Sequence, residues 1–166
     1  MKLMSENNEK FLKITHLTSM SLWFSCLIIM FIVAFNIPNL KSSDSFFFAH
    51  RINYIIDFYV LTPAAIITFI TGVLYGAFTK WNVKKNFWLK VKVIITIFLI
   101  LLGTFVFGPL LSEMTNDAET KGLNLLKDSN YLVNLKILIW SSIINAFILF
   151  IAIAVSTLKP GNKDYL

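Results

Sequence analysis

The stretch that decides the fold is residues 87–111, which read FWLKVKVIITIFLILLGTFVFGPLL. Three further apolar runs of this kind occupy residues 11–35, 52–79 and 131–158. Each run reaches the ~20 residues that an α-helix needs to cross a bilayer. Composition agrees, because 57% of the residues are hydrophobic and sixteen are Phe. The sequence therefore predicts an all-α, polytopic membrane protein built as a four-transmembrane-helix bundle.

The only sizeable polar connection between the runs is Ser112–Asn130, which we expect to be an external loop. The four runs and their connections fill the chain, so we expect residues 1–166 to form a single integral membrane domain with no separate soluble catalytic domain. Lys10 and Lys13 precede the first run as in a signal peptide, but the run is longer than a signal core and is expected to stay as a helix. The net charge of +6 comes from lysines that flank the runs. A lipid bilayer, and not nucleic acid, is the expected partner.

The distribution of positive residues predicts how the bundle is oriented. Ten Lys and Arg residues fall on the side that holds both termini and the second connection, and five fall on the other side. Cytoplasmic segments carry the excess of Lys and Arg. We therefore expect a cell-membrane protein with both termini in the cytoplasm.

A few ionisable residues interrupt the apolar runs, and such residues are functional candidates because their insertion is costly. His16 lies about one turn inside the first run and shares a helical face with Met20 and Trp23. Two interpretations are open: the imidazole ligates a metal or haem iron, or it is a structural side chain that hydrogen-bonds to a backbone carbonyl. Lys92 opens the third run at a comparable depth, where it would either face His16 or extend to the interface.

A second polar group is expected near the opposite surface. His50 begins the second run there, so His16 and His50 cannot both ligate one iron. Asp57 follows seven residues later on the same helical face, and Arg51 and Lys136 lie at similar depth as salt partners. An ion pair that fixes helix register and a proton relay or cation site are both open interpretations.

Small and helix-breaking residues predict the remaining features of the spans. Pro63 in the second run and Pro109 in the third are expected to kink or end their helices. Asn145, deep in the fourth run, is expected to hydrogen-bond between helices. Gly72 and Gly76 predict a close helix contact, either within the chain or in a homo-oligomer.

Short motifs in all four spans resemble the HemJ-type protoporphyrinogen oxidases and their CopD-like relatives. They are, in chain order, Lys13-Ile14-Thr15-His16 followed by Trp23; Leu61-Thr62-Pro63-Ala64 followed by Gly72; Trp88-Leu89-Lys90-Val91-Lys92; and Leu158-Lys159-Pro160. The family's histidine after the third-span Trp-Leu is replaced by Lys90, and the segment 30–36 also departs from the family pattern, which indicates a distant paralogue.

The resemblance implies haem b at His16 and Lys92, with Trp23 and Met20 as cofactor-binding neighbours and catalytic roles for His16 and Lys92. It implies an oxidoreductase whose substrate is a porphyrin, with porphyrinogen oxidation as the reaction. The alternative is a non-catalytic bundle that acts as a partner subunit or as a small metal or proton transporter. In that alternative His50, Asp57 and Lys136 matter more than His16.

Overall fold

A computed structural model describes residues 4–78 and 87–158, without the side chains of residues 87–88 and 156–158. Within these ranges the chain is helical and contains no strand. The α-helices are α1 (Glu6–Asn36), α2 (Ser43–Ile56), α3 (Thr62–Phe78), α4 (Phe87–Leu102), α5 (Gly108–Lys121) and α6 (Ser129–Leu158). The Trp88 side chain and the Leu158-Lys159-Pro160 motif, apart from the backbone of Leu158, lie outside the described part.

The six α-helices combine into four rods, each long and apolar enough to cross a membrane. Within the described ranges these spans are Glu6–Asn39, Ser43–Phe78, Leu89–Lys127 and Ser129–Val155. The second rod joins α2 to α3, and the third joins α4 to α5. The predicted four-helix membrane architecture is confirmed.

The second and third rods are longer than their apolar runs. Ser42 caps α2 by accepting a hydrogen bond from the Ser45 N–H, so helix begins nine residues before the predicted run. The third rod continues as α5 to Lys121, although residues 112–121 are too polar for hydropathy to count them as a span. The buried side chains of Leu111, Met114 and Ala118 lie in α5, which packs against α2. This contact stabilises a helix that we expected to be a loop.

Pro63 and Pro109 each follow a π-helical turn, where hydrogen bonds run from the N–H of residue i to the carbonyl oxygen of residue i−5. The first turn is Asp57–Leu61, ahead of Pro63, and the second is Gly103–Phe107, ahead of Pro109. Proline lacks an N–H and clashes with the preceding turn, and a widened turn accommodates both defects without ending the helix. The expected disruptions therefore occur as two π-helical turns at the same offset from their prolines.

The core lies along the inward faces of the rods, and the outward faces carry large apolar side chains. On α1 the predicted face of Met20, Trp23 and Leu27 is buried. Phe11 and Phe105 are 71% and 72% exposed, as side chains that face lipid would be. Because lipid is itself apolar, these faces need no protein cover, and the helices associate through packing and polar contacts instead.

Candidate functional site

The bundle has two ends, an amino-terminal side and a far side. The amino-terminal side is the end at which α1 begins, α3 ends and α4 begins. The far side is the end at which α1 ends and α2 begins. His50 lies eighteen residues before Thr68 on the second rod, a rise of about 27 Å along the helix.

Toward the amino-terminal side, the His16 ring of α1 is hydrogen-bonded to α3. Its Nδ1 lies 3.0 Å from the Thr68 carbonyl oxygen and 3.0 Å from the Thr71 hydroxyl. The Thr68 carbonyl oxygen can only accept a hydrogen bond, and the Thr71 hydroxyl already donates to the Ile67 carbonyl at 2.6 Å. Both partners therefore accept from His16, which requires that Nδ1 carries the proton. In the neutral ring the Nε2 lone pair is then left for a ligand.

The space for this ring is provided by Gly72. A Cβ atom at this position would lie 3.1 Å from His16 Cε1, closer than an ordinary carbon contact. Gly76, one turn further along α3, is also buried. The close contact predicted from the Gly72 and Gly76 spacing therefore forms within the chain, between α3 and α1.

The hydrogen bonds continue from His16 towards the middle of the bundle. The Ser19 hydroxyl donates to the His16 carbonyl oxygen at 3.1 Å, and the Thr68 hydroxyl lies 2.9 Å from Ser19 Oγ. Both Ser19 and Thr68 are buried. The amino-terminal cluster, defined as His16, Ser19, Thr68, Thr71 and Gly72, thus joins two helices through polar groups.

Lys92 adds a positive charge to this cluster. Its side chain is half-buried and lies close enough to His16 for its charge to act on the ring. Lys90, two positions earlier, is exposed. The charge of Lys92 therefore acts at His16, although 76 positions separate the two residues in the sequence.

Further into the bundle, a cavity of about 50 Å³ opens between the four rods. Trp23 and Met30 from α1, Asp57 from the first π-helical turn and Gly103 from the second lie in its wall. Trp23 is four residues after Ser19, so about one helical turn separates the amino-terminal cluster from the cavity. Of the predicted cofactor neighbours, Met20 is buried in the core, and Trp23 is buried and lines the cavity.

Asp57 is the acidic residue in this cavity wall, and its expected salt partners lie elsewhere. Its side chain is 8% exposed. Arg51 is exposed, with its guanidinium carbon 5.7 Å from the Tyr54 ring centroid, and Lys136 is also exposed. Among the described residues, the ion pairs are Lys10 with Glu6 and Lys121 with Asp117. The predicted grouping of Asp57 with Arg51 and Lys136 is therefore not assembled.

His50 is buried on the far side, at 1% exposure. Its Nε2 lies 2.8 Å from the Tyr131 hydroxyl of α6, while its Nδ1 has no hydrogen-bond partner. One turn on, Asn53 is buried and its Oδ1 also lacks a partner. The far-side polar group is thus His50, Asn53 and Tyr131, of which sequence reasoning singled out only His50.

The hydrogen-bond partners of His16 could have been predicted from the spacing of small and polar residues, which hydropathy alone does not consider. Thr68, Thr71 and Gly72 follow the i, i+3, i+4 spacing of one helical face within an otherwise apolar run. Such a stripe of small and polar residues is typical of helix interfaces in membranes. Asn145, which we expected to hydrogen-bond between helices, lines the cavity.

The donor set of the amino-terminal cluster limits the metals that it could hold. Within the described residues, no three His, Cys, Asp or Glu side chains are grouped as a metal site. A zinc site takes three or four protein ligands, whereas haem iron takes its equatorial ligands from the porphyrin and one or two from the protein. His16 and Lys92 could supply one or two protein ligands of this kind.

Four apolar rods around polar interior groups define an integral membrane helical bundle. Comparison with protein families matches residues 10–160 to the family described as "Predicted integral membrane protein (DUF2269)", and the chain belongs to this family. A search of curated proteins found no match, and neither did a search of solved structures. The resemblance to HemJ and CopD proteins stays a prediction.

Proposed function

We propose that this protein binds haem b in the membrane and has an oxidoreductase role, with His16 as the axial ligand. The observation that carries the proposal is the orientation of the ring. Nδ1 lies 3.0 Å from the Thr68 carbonyl oxygen, which leaves Nε2 as the ligating nitrogen. Histidines that ligate metals commonly donate their other N–H to a carbonyl or carboxylate in this way.

Lys92 supplies the second group of the proposed site. Its amine would either ligate the iron or pair with a carboxylate of the porphyrin. Bound haem supplies one-electron and oxygen chemistry, while the protein binds and orients it. The resemblance to HemJ extends the proposal to porphyrinogen oxidation, in which Lys92 would hold a substrate carboxylate near His16.

The proposed orientation rests on the distribution of positive residues. With both termini in the cytoplasm of a cell-membrane protein, the amino-terminal cluster faces the cytoplasm. A porphyrin would then reach His16 and Lys92 from that leaflet. Reactivity of single cysteines placed at exposed positions 7 and 124, in a Cys26→Ala background, would test this orientation with a membrane-impermeant reagent.

An absorption spectrum of the purified protein tests haem binding directly. The protein would be expressed with a haem precursor, purified in detergent, and recorded oxidised and dithionite-reduced. We expect a Soret band that disappears in His16→Ala and persists in His50→Gln. Lys92→Ala should shift or weaken the band, whereas Lys90→Ala, which changes an exposed lysine on the same helix, should not.

The result that would refute haem binding is a colourless protein at full haem supply. A Soret band that survives His16→Ala would refute the assignment of the ligand. If a Soret band depends on His16, an assay of protoporphyrinogen oxidation then tests the reaction. Activity lost in both His16→Ala and Lys92→Ala, but retained in Lys90→Ala, is the expected pattern.

A second candidate function, transport of a proton or small cation by a non-catalytic bundle, has its own supporting observation. Asp57 is buried in a membrane span without an ion-pair partner among the described residues. Ionisable residues in that setting commonly mark ion or proton pathways. A colourless protein whose cellular phenotype is lost in Asp57→Asn would favour this candidate, and a phenotype that is unchanged in that variant would refute it.

A further inference from the structure

The cavity beside Asp57 has the size and lining of a small hydrated site. Its volume of about 50 Å³ is enough for a few water molecules, since a cavity needs roughly 10–15 Å³ to hold one water. It is far below the roughly 300–1,000 Å³ of typical ligand pockets. The cavity therefore suits water and a very small ligand, and it is too small for a porphyrin.

The polar side chains in the cavity wall provide oxygen atoms and no positive charge. Besides Asp57 they are Thr62, Thr104, Ser141, Ser142 and Asn145. The hydroxyls of Ser141 and Ser142 both donate to the Leu138 carbonyl oxygen at 2.9 Å, so their lone pairs remain as acceptors. An ionised Asp57 would thus add a negative charge to a wall that has no cationic side chain.

Asp57 and residues of both π-helical turns line this cavity. Asp57 begins the first turn, and the Thr62 N–H donates to its backbone carbonyl oxygen. From the third rod, a Cβ at Gly108, the residue directly after the turn of Gly103–Phe107, would lie 4.0 Å from Asp57 Oδ2. π-Helical turns frequently occur at functional sites. Neither ion pair among the described residues involves Asp57.

We propose that Asp57 and this cavity form a proton-binding site that is reached from the far side of the bundle. When a proton binds, an O–H bond forms on the carboxylate, and the proton comes from a hydronium ion that reaches the cavity through water and leaves a neutral water molecule behind. The neutral acid removes an unpaired charge from the apolar interior, where an ionised side chain is costly. One charge with few oxygen neighbours fits a proton better than a multivalent cation, which needs several oxygen ligands.

The far-side polar group lies on the same helical face as Asp57. His50, Asn53 and Asp57 follow the i, i+3, i+7 spacing, and all three are buried. His50 Nδ1 and Asn53 Oδ1 are both without hydrogen-bond partners. Buried polar atoms are nearly always satisfied, and ordered water is the usual partner when protein is not. The two atoms therefore mark positions where water would connect the far side to the cavity.

Other titratable groups near Asp57 are few. From α1, Cys26 lies close enough for the charge of Asp57 to act on its thiol. The described cavity walls of the third and fourth rods contribute no titratable side chain. On the amino-terminal side, Trp23 lines the cavity one turn of α1 after Ser19 of the amino-terminal cluster. The site is separate from the proposed haem site, so either proposal can fail without the other.

Infrared difference spectroscopy across a pH titration tests this site on the full-length protein in proteoliposomes. We expect the band of a protonated carboxyl in an apolar setting, lost in Asp57→Asn and shifted in Asp57→Glu. Asp44→Asn is the matched control, because Asp44 lies on the same rod and is exposed. Absence of the band, or its loss in the Asp44 control, would overturn the assignment.

Hydrogen–deuterium exchange of the same band tests the route without changing Asp57. Replacing Asn53 with Leu removes the polar step between His50 and the cavity, and exchange should slow by about tenfold or more. Unchanged exchange would refute entry from the far side. Titration with NaCl at fixed pH distinguishes a proton site from a cation site. Loss of the protonated-carboxyl band on addition of Na⁺ would identify a cation site and overturn the proton assignment.

Discussion

Replacing Gly72 with Ala should displace the His16 ring and weaken its hydrogen bond to α3. The new methyl would start 3.1 Å from His16 Cε1, whereas carbon atoms prefer separations of about 3.5–4.0 Å. The ring must therefore move by roughly 0.4 Å or more. If that shift is taken up along the bond to Thr68, a contact of 3.0 Å approaches the upper limit for an N–H···O hydrogen bond.

The net cost follows from opposing terms. Alanine is favoured over glycine in a helix by about 1 kcal/mol. Overpacking costs about 1–3 kcal/mol, and the weakened hydrogen bond costs about 0.5–1.5 kcal/mol. We expect the folded state to lose roughly 1–3 kcal/mol, because the methyl meets a ring that is tied to the backbone and not a flexible side-chain end. A haem-binding protein should also lose occupancy, since the ligating nitrogen moves with the ring.

Thermal unfolding in detergent and the ligand-dependent spectrum would both measure this change. Gly103→Ala is the matched control, since a Cβ at Gly103 has no atom within 4 Å and should gain helix stability without touching His16. If Gly72→Ala were as stable as Gly103→Ala, the close packing of His16 against Gly72 would be refuted. A destabilised Gly72→Ala protein with an unchanged spectrum would show that His16 packs against Gly72 but that this packing does not affect haem binding.

Two further variants test contacts on the far side. Tyr131→Phe should destabilise the protein by about 1–3 kcal/mol, because it leaves both ring nitrogens of buried His50 without protein partners. Adding His50→Phe should recover part of this loss of stability in thermal unfolding. If the losses of the two variants simply add, the contact between Tyr131 and His50 is contradicted. Gly122→Ala should also destabilise the protein, by about 1–2 kcal/mol, because Gly122 has φ 55° and its Cβ would lie 2.8 Å from Ser43 Oγ. Ser43→Gly should relieve only the steric part of that loss, and a stable Gly122→Ala protein would contradict the backbone argument.

The architecture could be predicted from the sequence because the bilayer imposes a simple rule on helix length. A run of apolar residues long enough to cross the membrane must satisfy its backbone internally, and this identifies all four rods. The same rule stops at polar residues, which is why α5 was expected to be a loop beyond residue 111. Its stability comes from contacts with α2, and hydropathy contains no information on that contact.

The contacts of the polar side chains depend on how each helix is rotated about its axis, and the sequence constrains this rotation less than it constrains helix length. Depth along the membrane suggested Arg51 and Lys136 as partners of Asp57, but both side chains are exposed on their rods. The same reasoning brought His16 and Lys92 to one depth, and here the Lys92 side chain is half-buried and its charge acts on the His16 ring. Depth is a property of one helix, whereas a contact depends on the orientation of two.

Trp23 lies between the two proposed sites along α1. It is 4% exposed, lines the cavity and lies four residues after Ser19 on α1. A shorter ring at this position would enlarge the cavity towards the hydrogen-bonded Thr68 and Ser19. Water could then connect Asp57 to His16, since polar groups would line the space on both sides. Trp23→Phe should therefore speed hydrogen–deuterium exchange at Asp57 while Asn53→Leu slows it. Equal exchange rates in the Trp23 variant and in the native protein would show that the bundle separates the two sites without the larger ring.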